Sequence, residues 1–453
     1  MLPPLPSSVS VPVEARLAYV LHHFRLAYPT APAVTVGYAD SRPQVEVTEG
    51  GGEFFTQLLP YPALPTYRQW RGRRLPFFFD VEPAKPLLEV LPDNRALIGA
   101  DIISAAFYLL SGWQEFFSDE RDRHGRFPYA ASVQHRYGFV DVPVVNYYFD
   151  ILKTAVEHTT GAVLQPRRWP NDTPWAAFIT HDIDNLYSAW KNPAKAALQG
   201  RDWLGLGRQV WQHFTQPDAW DNLALVRQTV ADYGAKSTFF ILPEHRPGAN
   251  GTPNADYAVE KVWARIGPAI GEAEVGLHGS IGRAREGSNL KAEEHRLQRC
   301  SQGPVKGIRF HYLGWEPRIT PGIVHTLDFD YDTTLGFAEH FGFRHSYCLP
   351  FHLFDFTAGR AYDFLEIPLN VMDATLFHPH YLQLAPNQVL PALQPMLEEI
   401  ERFGGVCTVL WHNENFDPAN EQNGPREFHT IMTYLRSRNV TFVNGADICA
   451  TVQ

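Results

Sequence analysis

From residue 175 to the C-terminus, short apolar runs of strand length alternate with longer stretches of helical periodicity. The runs at 176–179, 237–242, 273–277, 305–310 and 407–411 lack a 3.6-residue period, as strands buried on both faces do. Between and after them, 222–233, 255–270, 290–300, 389–403 and 427–438 read as helices. In 389–403, Leu390, Leu393, Leu397 and Ile400 space out one core face. Shorter strands are expected at 329–332, 343–347, 363–367 and 441–444. This alternation leaves a chain two arrangements, a parallel (β/α) barrel or an open doubly wound sheet.

The residues that end these runs are polar. Asp182 and Asp184 follow the first, His278 the third, Arg309 and His311 the fourth, and His412 the fifth. A barrel gathers the C-terminal ends of its strands at one rim, where such groups meet. In extended chain Asp182 and Asp184 point the same way, so two carboxylates sit together at one strand mouth. They repel unless a metal, an arginine or a shared proton lies between or beside them.

Residues 1–165 form a first unit. A helix is expected at 16–28, with Leu17, Val20, Leu21 and Phe24 on its apolar face, and strands at 34–38, 45–47 and 75–80. Residues 101–117 read as a single helix capped by Asp101. The charged turn 119–126 reads as a solvated loop or a domain interface. Residues 161–174 carry three prolines and no periodicity. The expected division is therefore a small α/β domain at 1–165, a linker at 166–174 and a (β/α) barrel at 175–453.

Net charge is −10 and no basic run occurs, which argues against nucleic acid as a partner, since phosphate binding needs a concentrated positive footprint. Cys300, Cys348, Cys407 and Cys449 stand alone in the sequence, so reduced thiols are expected rather than a disulfide framework or a zinc knuckle. No basic segment with an apolar core opens the chain, and no run approaches the roughly 20 apolar residues of a spanning helix. A cytoplasmic protein without a membrane span is the expectation; oligomeric state is left open.

Asp and His are the ligand types that zinc and similar borderline ions take. A hydrolytic centre also needs a base for the attacking water and an acid for the leaving group. Arg309 is suited to hold a carboxylate ionised, and His412 has the ordinary pKa of an acid for a departing amine.

The segments THDID, STFFIL, GLHGS, GIRFHYLGW, YDTTLGFAEHFGFR, LEIPL and TVLWHN, taken in order, resemble the polysaccharide deacetylases of the NodB-homology type, carbohydrate esterase family four. The resemblance covers about 172–450 and looks closest to a bacterial branch with an extra α/β domain in front. It implies a distorted (β/α) barrel that removes N- or O-acetyl groups from a carbohydrate substrate through a metal-activated water. Position by position it implies that Asp182 is the catalytic base, that Arg309 pairs with it, and that His412 is the general acid beside Leu410. A divalent metal is implied, with zinc the expected ion. His278 matches the first histidine of the family's HxxxH motif; the second falls on Gly282 and is missing. The family's metal-binding aspartate falls on Ile183, so its role passes to Asp184, and His311 is the candidate replacement ligand. Tyr312, Asp332 and Asn413 are expected to touch substrate. His181 is expected to pack, and the His378–His380 pair to lie in a surface loop.

Two other readings compete. A carbohydrate-binding or assembly protein on an inactive barrel accords with the missing histidine, but has no need of Asp182, Arg309 and His412 together. A hydrolase opening a small cyclic amide, another non-peptide C–N bond, would need the same groups.

Overall fold

A computed structural model describes residues 3–5, 9–249, 251–420 and 424–452. Six strands come first: β1 (Val36–Gly37), β2 (Val45–Val47), β3 (Thr66–Trp70), β4 (Arg73–Phe77), β5 (Leu88–Leu91) and β6 (Arg95–Ile98). They make a four-stranded sheet in the order β1-β2-β6-β5 and a separate β3–β4 hairpin. Helices Val13–Ala27 and Ile102–Leu110 pack on each other, and Val144–Thr160 packs on β6.

The long helix expected at 101–117 is two. Asp101 caps Ile102–Leu110, accepting from the Ser104 N–H at 2.9 Å, but Gly112 adopts φ 72° and a second helix, Trp113–Phe117, starts there. A left-handed residue breaks the hydrogen-bond ladder, and glycine takes that conformation without a Cβ penalty.

The remaining strands are β7 (Trp175–Ile183), β8 (Thr238–Ile241), β9 (Glu274–Gly279), β10 (Gly307–Phe310), β11 (Tyr331–Asp332), β12 (Phe354–Asp355), β13 (Arg360–Ala361), β14 (Leu365–Glu366), β15 (Val371–Met372), β16 (Val406–Leu410) and β17 (Val440–Val443). Apart from the β12–β13 hairpin they form one sheet, β14-β11-β10-β9-β8-β7-β16-β15, with β17 beside the first half of β7. Every pairing in it is parallel. Its edges, β14 and β15, are the two ends of one stretch, 365–372, which pairs with β11 at one end and β16 at the other. The sheet therefore curls until its edges meet in a single piece of chain. All nine residues of β7 are buried, which is why its run is continuously apolar before the polar end.

Residues 343–347 are not a strand. They form a buried loop held by the first part of the chain: Val140 accepts from the Phe343 N–H (2.8 Å), Val145 donates to the Ser346 carbonyl (2.9 Å), and Arg344 pairs with buried Glu115 at 2.6 Å. The run is an internal seam in which even Arg344, His345 and Ser346 are buried. The 166–174 stretch is likewise anchored: Arg167 donates to the carbonyls of Leu26 and Thr451, and buried Trp169 to that of Gly404. One apolar cluster runs through both parts of the chain, with Phe354 edge-on to Tyr19 and Phe107.

Asp332 and Glu366 face each other in register between β11 and β14, both fully buried. Burial pushes the Asp332 carboxyl up to about 6; burial and the Asp332 charge push Glu366 well above its ordinary value. Both carboxyls bind protons more tightly folded than unfolded. Their favourable contribution is complete below the unfolded values near 4 and is lost as pH rises through about 6. Glu366→Gln is therefore expected to shrink the loss of stability between roughly pH 5 and 8 by more than about 1 kcal/mol, read from urea midpoints. An unchanged difference would show that the pair does not titrate there.

Candidate active site

The C-terminal strand ends surround a cavity of about 690 Å³ lined by Asp182, Asp184, His278, His311, Tyr312 and His412, among others. A cleft of equal volume lies near the opposite ends of β9 and β10, but its charged groups are already paired. There Lys306 binds Asp328 and Asp330, and Glu274 accepts from Thr238 and two backbone N–H groups.

Arg309 is fully buried at the end of β10, beside His278 in register on β9. Its Nη1 donates to Asp182 Oδ1 at 2.9 Å and to Thr180 Oγ1 at 2.8 Å, its Nε to the Thr333 carbonyl at 2.9 Å, and the guanidinium lies 4.6 Å over the Phe240 ring. A carboxylate as buried as Asp182 needs such a partner to stay charged. Its other oxygen faces the cavity, 3.6 Å from His278 Nε2.

Asp184 extends the same face. Its Oδ1 lies 3.3 Å from both His278 Nε2 and His311 Nδ1, and the two ring nitrogens are 3.1 Å apart. His278 Nδ1 sits 2.9 Å from the Arg309 carbonyl and His311 Nε2 3.3 Å from that of Pro253. Carbonyls only accept, so each of these nitrogens carries a proton, and the other nitrogen of each ring is turned toward its neighbour and the carboxylate. Three electron-rich atoms at this spacing repel unless a proton or a cation sits among them. Tetrahedral ligation at about 2.0–2.1 Å separates donors by roughly 3.3–3.4 Å, close to the observed triangle. Histidines that hold a metal also characteristically donate their far N–H to a carbonyl, as both do here. The donor set fits a divalent metal. Burial alone would raise the Asp184 carboxyl, yet His311 and His278 hold it well below the ordinary range.

His412 approaches from beyond β16, its Nε2 3.7 Å from Asp184 Oδ2. Its Nδ1 is 2.7 Å from Asp373 Oδ1, and its backbone N–H donates to the other Asp373 oxygen at 2.6 Å. Burial disfavours the imidazolium, but Asp373 outweighs it and holds the His412 pKa well above its usual value. Asp373 is a site residue the sequence reading missed. The signal was present: it ends the two-residue strand β15 as the other site residues end theirs. Glu414, also missed, lines the cavity with its carboxyl pushed by burial up to about 7.

Of the expected substrate contacts, Tyr312 lies at the cavity. Its backbone and that of Leu313 are left-handed (φ 57° and 53°), uncommon for bulky residues and a conformation that surrounding contacts must hold. Part of the support comes from the charged turn: Arg126 donates to the Tyr312 carbonyl at 2.9 Å, and His124 stacks on the Tyr312 ring at 4.9 Å and 8°. Arg123, His124 and Arg126 all line the cavity, so the 119–126 turn is a wall of the site as well as an interface. Asp332 is not at the rim, because it is buried against Thr334 and Glu366 inside the sheet. Asn413 does not line the cavity either; its amide donates to the carbonyls of Asn185 and Trp220 and ties two loops together. His181 packs against Phe239 and Phe416, with burial lowering its pKa to about 4. His378 and His380 are exposed, and His378 lines the cavity while His380 does not.

A family model described as a family of unknown function (DUF7033) matches residues 31–161. No curated protein matches the chain. Among solved structures, one from Mycobacterium smegmatis described as a polysaccharide deacetylase is 16% identical, with 63% of this chain and 92% of that chain covered and a TM-score of 0.40. The PuuE allantoinase is 13% identical, with 62% and 91% covered and a TM-score of 0.41. A mutant of BA3943, a CE4-family pseudoenzyme, is 13% identical, with 65% and 73% covered and a TM-score of 0.33. At these identities and scores the likeness carries no activity over to this chain.

Proposed function

We propose that this protein is a metal-dependent hydrolase that removes an acetyl group from an N-acetylated, or O-acetylated, carbohydrate. The observation that carries the reading is one cavity in which a Asp184–His278–His311 triangle lies between an arginine-held carboxylate and an aspartate-held imidazole. Asp184, His278 and His311 would hold the ion. When bound, a divalent metal such as zinc supplies polarisation of the acyl oxygen and acidification of water. Asp182, paired with Arg309, takes the proton from the attacking water. His412, oriented by Asp373 and kept protonated by it, delivers a proton to the departing nitrogen or oxygen. Tyr312 offers a ring face on which a sugar can stack. Residues 1–165 belong to this reading as an α/β unit that completes the cavity wall.

The test is metal content followed by acetate release from acetylated amino sugars. Wild-type protein is expected to bind about one zinc per chain, and His278→Ala and His311→Ala each to lose it, since catalytic zinc takes three protein ligands. Full stoichiometry in His311→Ala would remove His311 from the set. Tight metal binding without acetate release from any acetylated sugar would favour a binding protein on this fold.

A further inference from the structure

We propose that the helical insert at 191–215 docks this protein on an anionic lipid surface. The insert comprises helices Lys191–Gln199 and Trp203–Thr215 and lies in the connection between β7 and β8. Among the described residues, fourteen large hydrophobic side chains are exposed, and six of them fall within 198–214: Leu198, Trp203, Leu204, Val210, Trp211 and Phe214. Isolated exposed apolar residues are ordinary; a concentrated set containing two tryptophans and a phenylalanine is a binding surface. Helix Trp203–Thr215 buries none of its residues. At 100° per residue, Val210, Trp203, Phe214, Trp211 and Leu204 fall on one continuous arc, while half-buried Leu206 and His213 lie on the side turned to the protein. His213 rests 4.6 Å from the Trp190 ring.

Charge decides between a bilayer and another protein surface. Lys191, Lys195, Arg201 and Arg208 are exposed, and none forms an ion pair with a described residue. The sole carboxylate in 191–215, Asp202, is occupied in capping its own helix, accepting from the Gly205 N–H at 2.8 Å. A chain of net charge −10 thus carries a local excess of cations without ion pairs around this exposed apolar arc. That combination is the signature of a helix lying in a headgroup layer, with aromatic rings at the acyl boundary and basic side chains on phosphates. A second copy of this face would instead bring like charges together. Because Asn192 of the same insert lines the site cavity, docking sets the cavity mouth beside the membrane surface. This inference stands independently of the reaction assigned to the site.

Flotation of the full chain with vesicles of phosphatidylcholine alone, or of phosphatidylcholine with phosphatidylglycerol, tests it. Wild-type protein is expected to float with the anionic vesicles and at least about tenfold less with the neutral ones. The triple variant Trp203→Ser, Trp211→Ser, Phe214→Ser is expected to stay at the bottom of the gradient, at an unchanged urea midpoint because these rings support no core. The variant Lys195→Glu, Arg208→Glu tests the charge term separately and is expected to weaken flotation. Failure of wild type to float, or equal flotation of the triple variant, overturns the proposal. So does a concentration-dependent dimer that the triple variant abolishes while vesicles are ignored.

Discussion

Asp182→Asn is expected to lower acetate release by about 10²- to 10⁴-fold while leaving zinc content unchanged, because it removes the base and spares the three donor atoms. Asn keeps an acceptor for Arg309 Nη1, so the 2.9 Å contact can persist, but the amide cannot take a proton from water. The measurement is turnover on whichever acetylated sugar wild type accepts, beside metal analysis of the same preparation. Equal turnover would exclude Asp182 as the base. Loss of metal together with turnover would instead make Asp182 part of the ion's support, a role its 3.6 Å approach to His278 makes worth separating.

Arg309→Met should be the most damaging single substitution to stability among the site residues. The guanidinium is fully buried and donates to Asp182, Thr180 and Thr333 while lying over Phe240. Methionine restores volume but leaves the Asp182 carboxylate enclosed without a counter-charge. Breaking a buried pair by removing one partner costs about 3–5 kcal/mol. The urea midpoint should fall by the corresponding amount at unchanged m, and the double variant Asp182→Asn, Arg309→Met should recover part of the loss. A midpoint within about 1 kcal/mol of wild type would show that Asp182 is relieved by other means, such as taking up a proton.

The second half of the chain was legible because its strands are buried on both faces and its helices on one, so each run declares its period. The polar residues at or just beyond the ends of β7, β9, β10 and β16 could be picked out as groups ending apolar strands, and the structure brings Asp182, Asp184, His278, His311 and His412 to one cavity. Asp373 escaped because β15 is two residues long, too short to show a run for it to terminate. Asp332 misled for the converse reason: a polar residue at a strand end can also point into the sheet, where only Glu366 across the ladder reveals its surroundings. Residues 343–347 are a buried loop because Arg344 and Ser346 are met by Glu115 and the Val145 N–H from the first part of the chain, partners that the local sequence does not display. The helices at 191–215 left no readable core stripe, since their apolar arc faces outward. In the first half, Gly112 within an apolar run gave no sign of its left-handed backbone.

The wall built by Arg123, His124 and Arg126 has a practical bearing on how this protein is dissected. A chain trimmed to begin at residue 166 would keep every ligand, base and acid named above, yet would open one flank of the cavity to bulk water. Tyr312 would lose its stacking neighbour and Arg126's donation to its carbonyl, and Glu316 would keep Arg285 but lose Arg121. Screening such a fragment against candidate sugars would query a half-finished binding groove. The stretch matched by a family of unknown function is thus where selectivity among substrates should be sought.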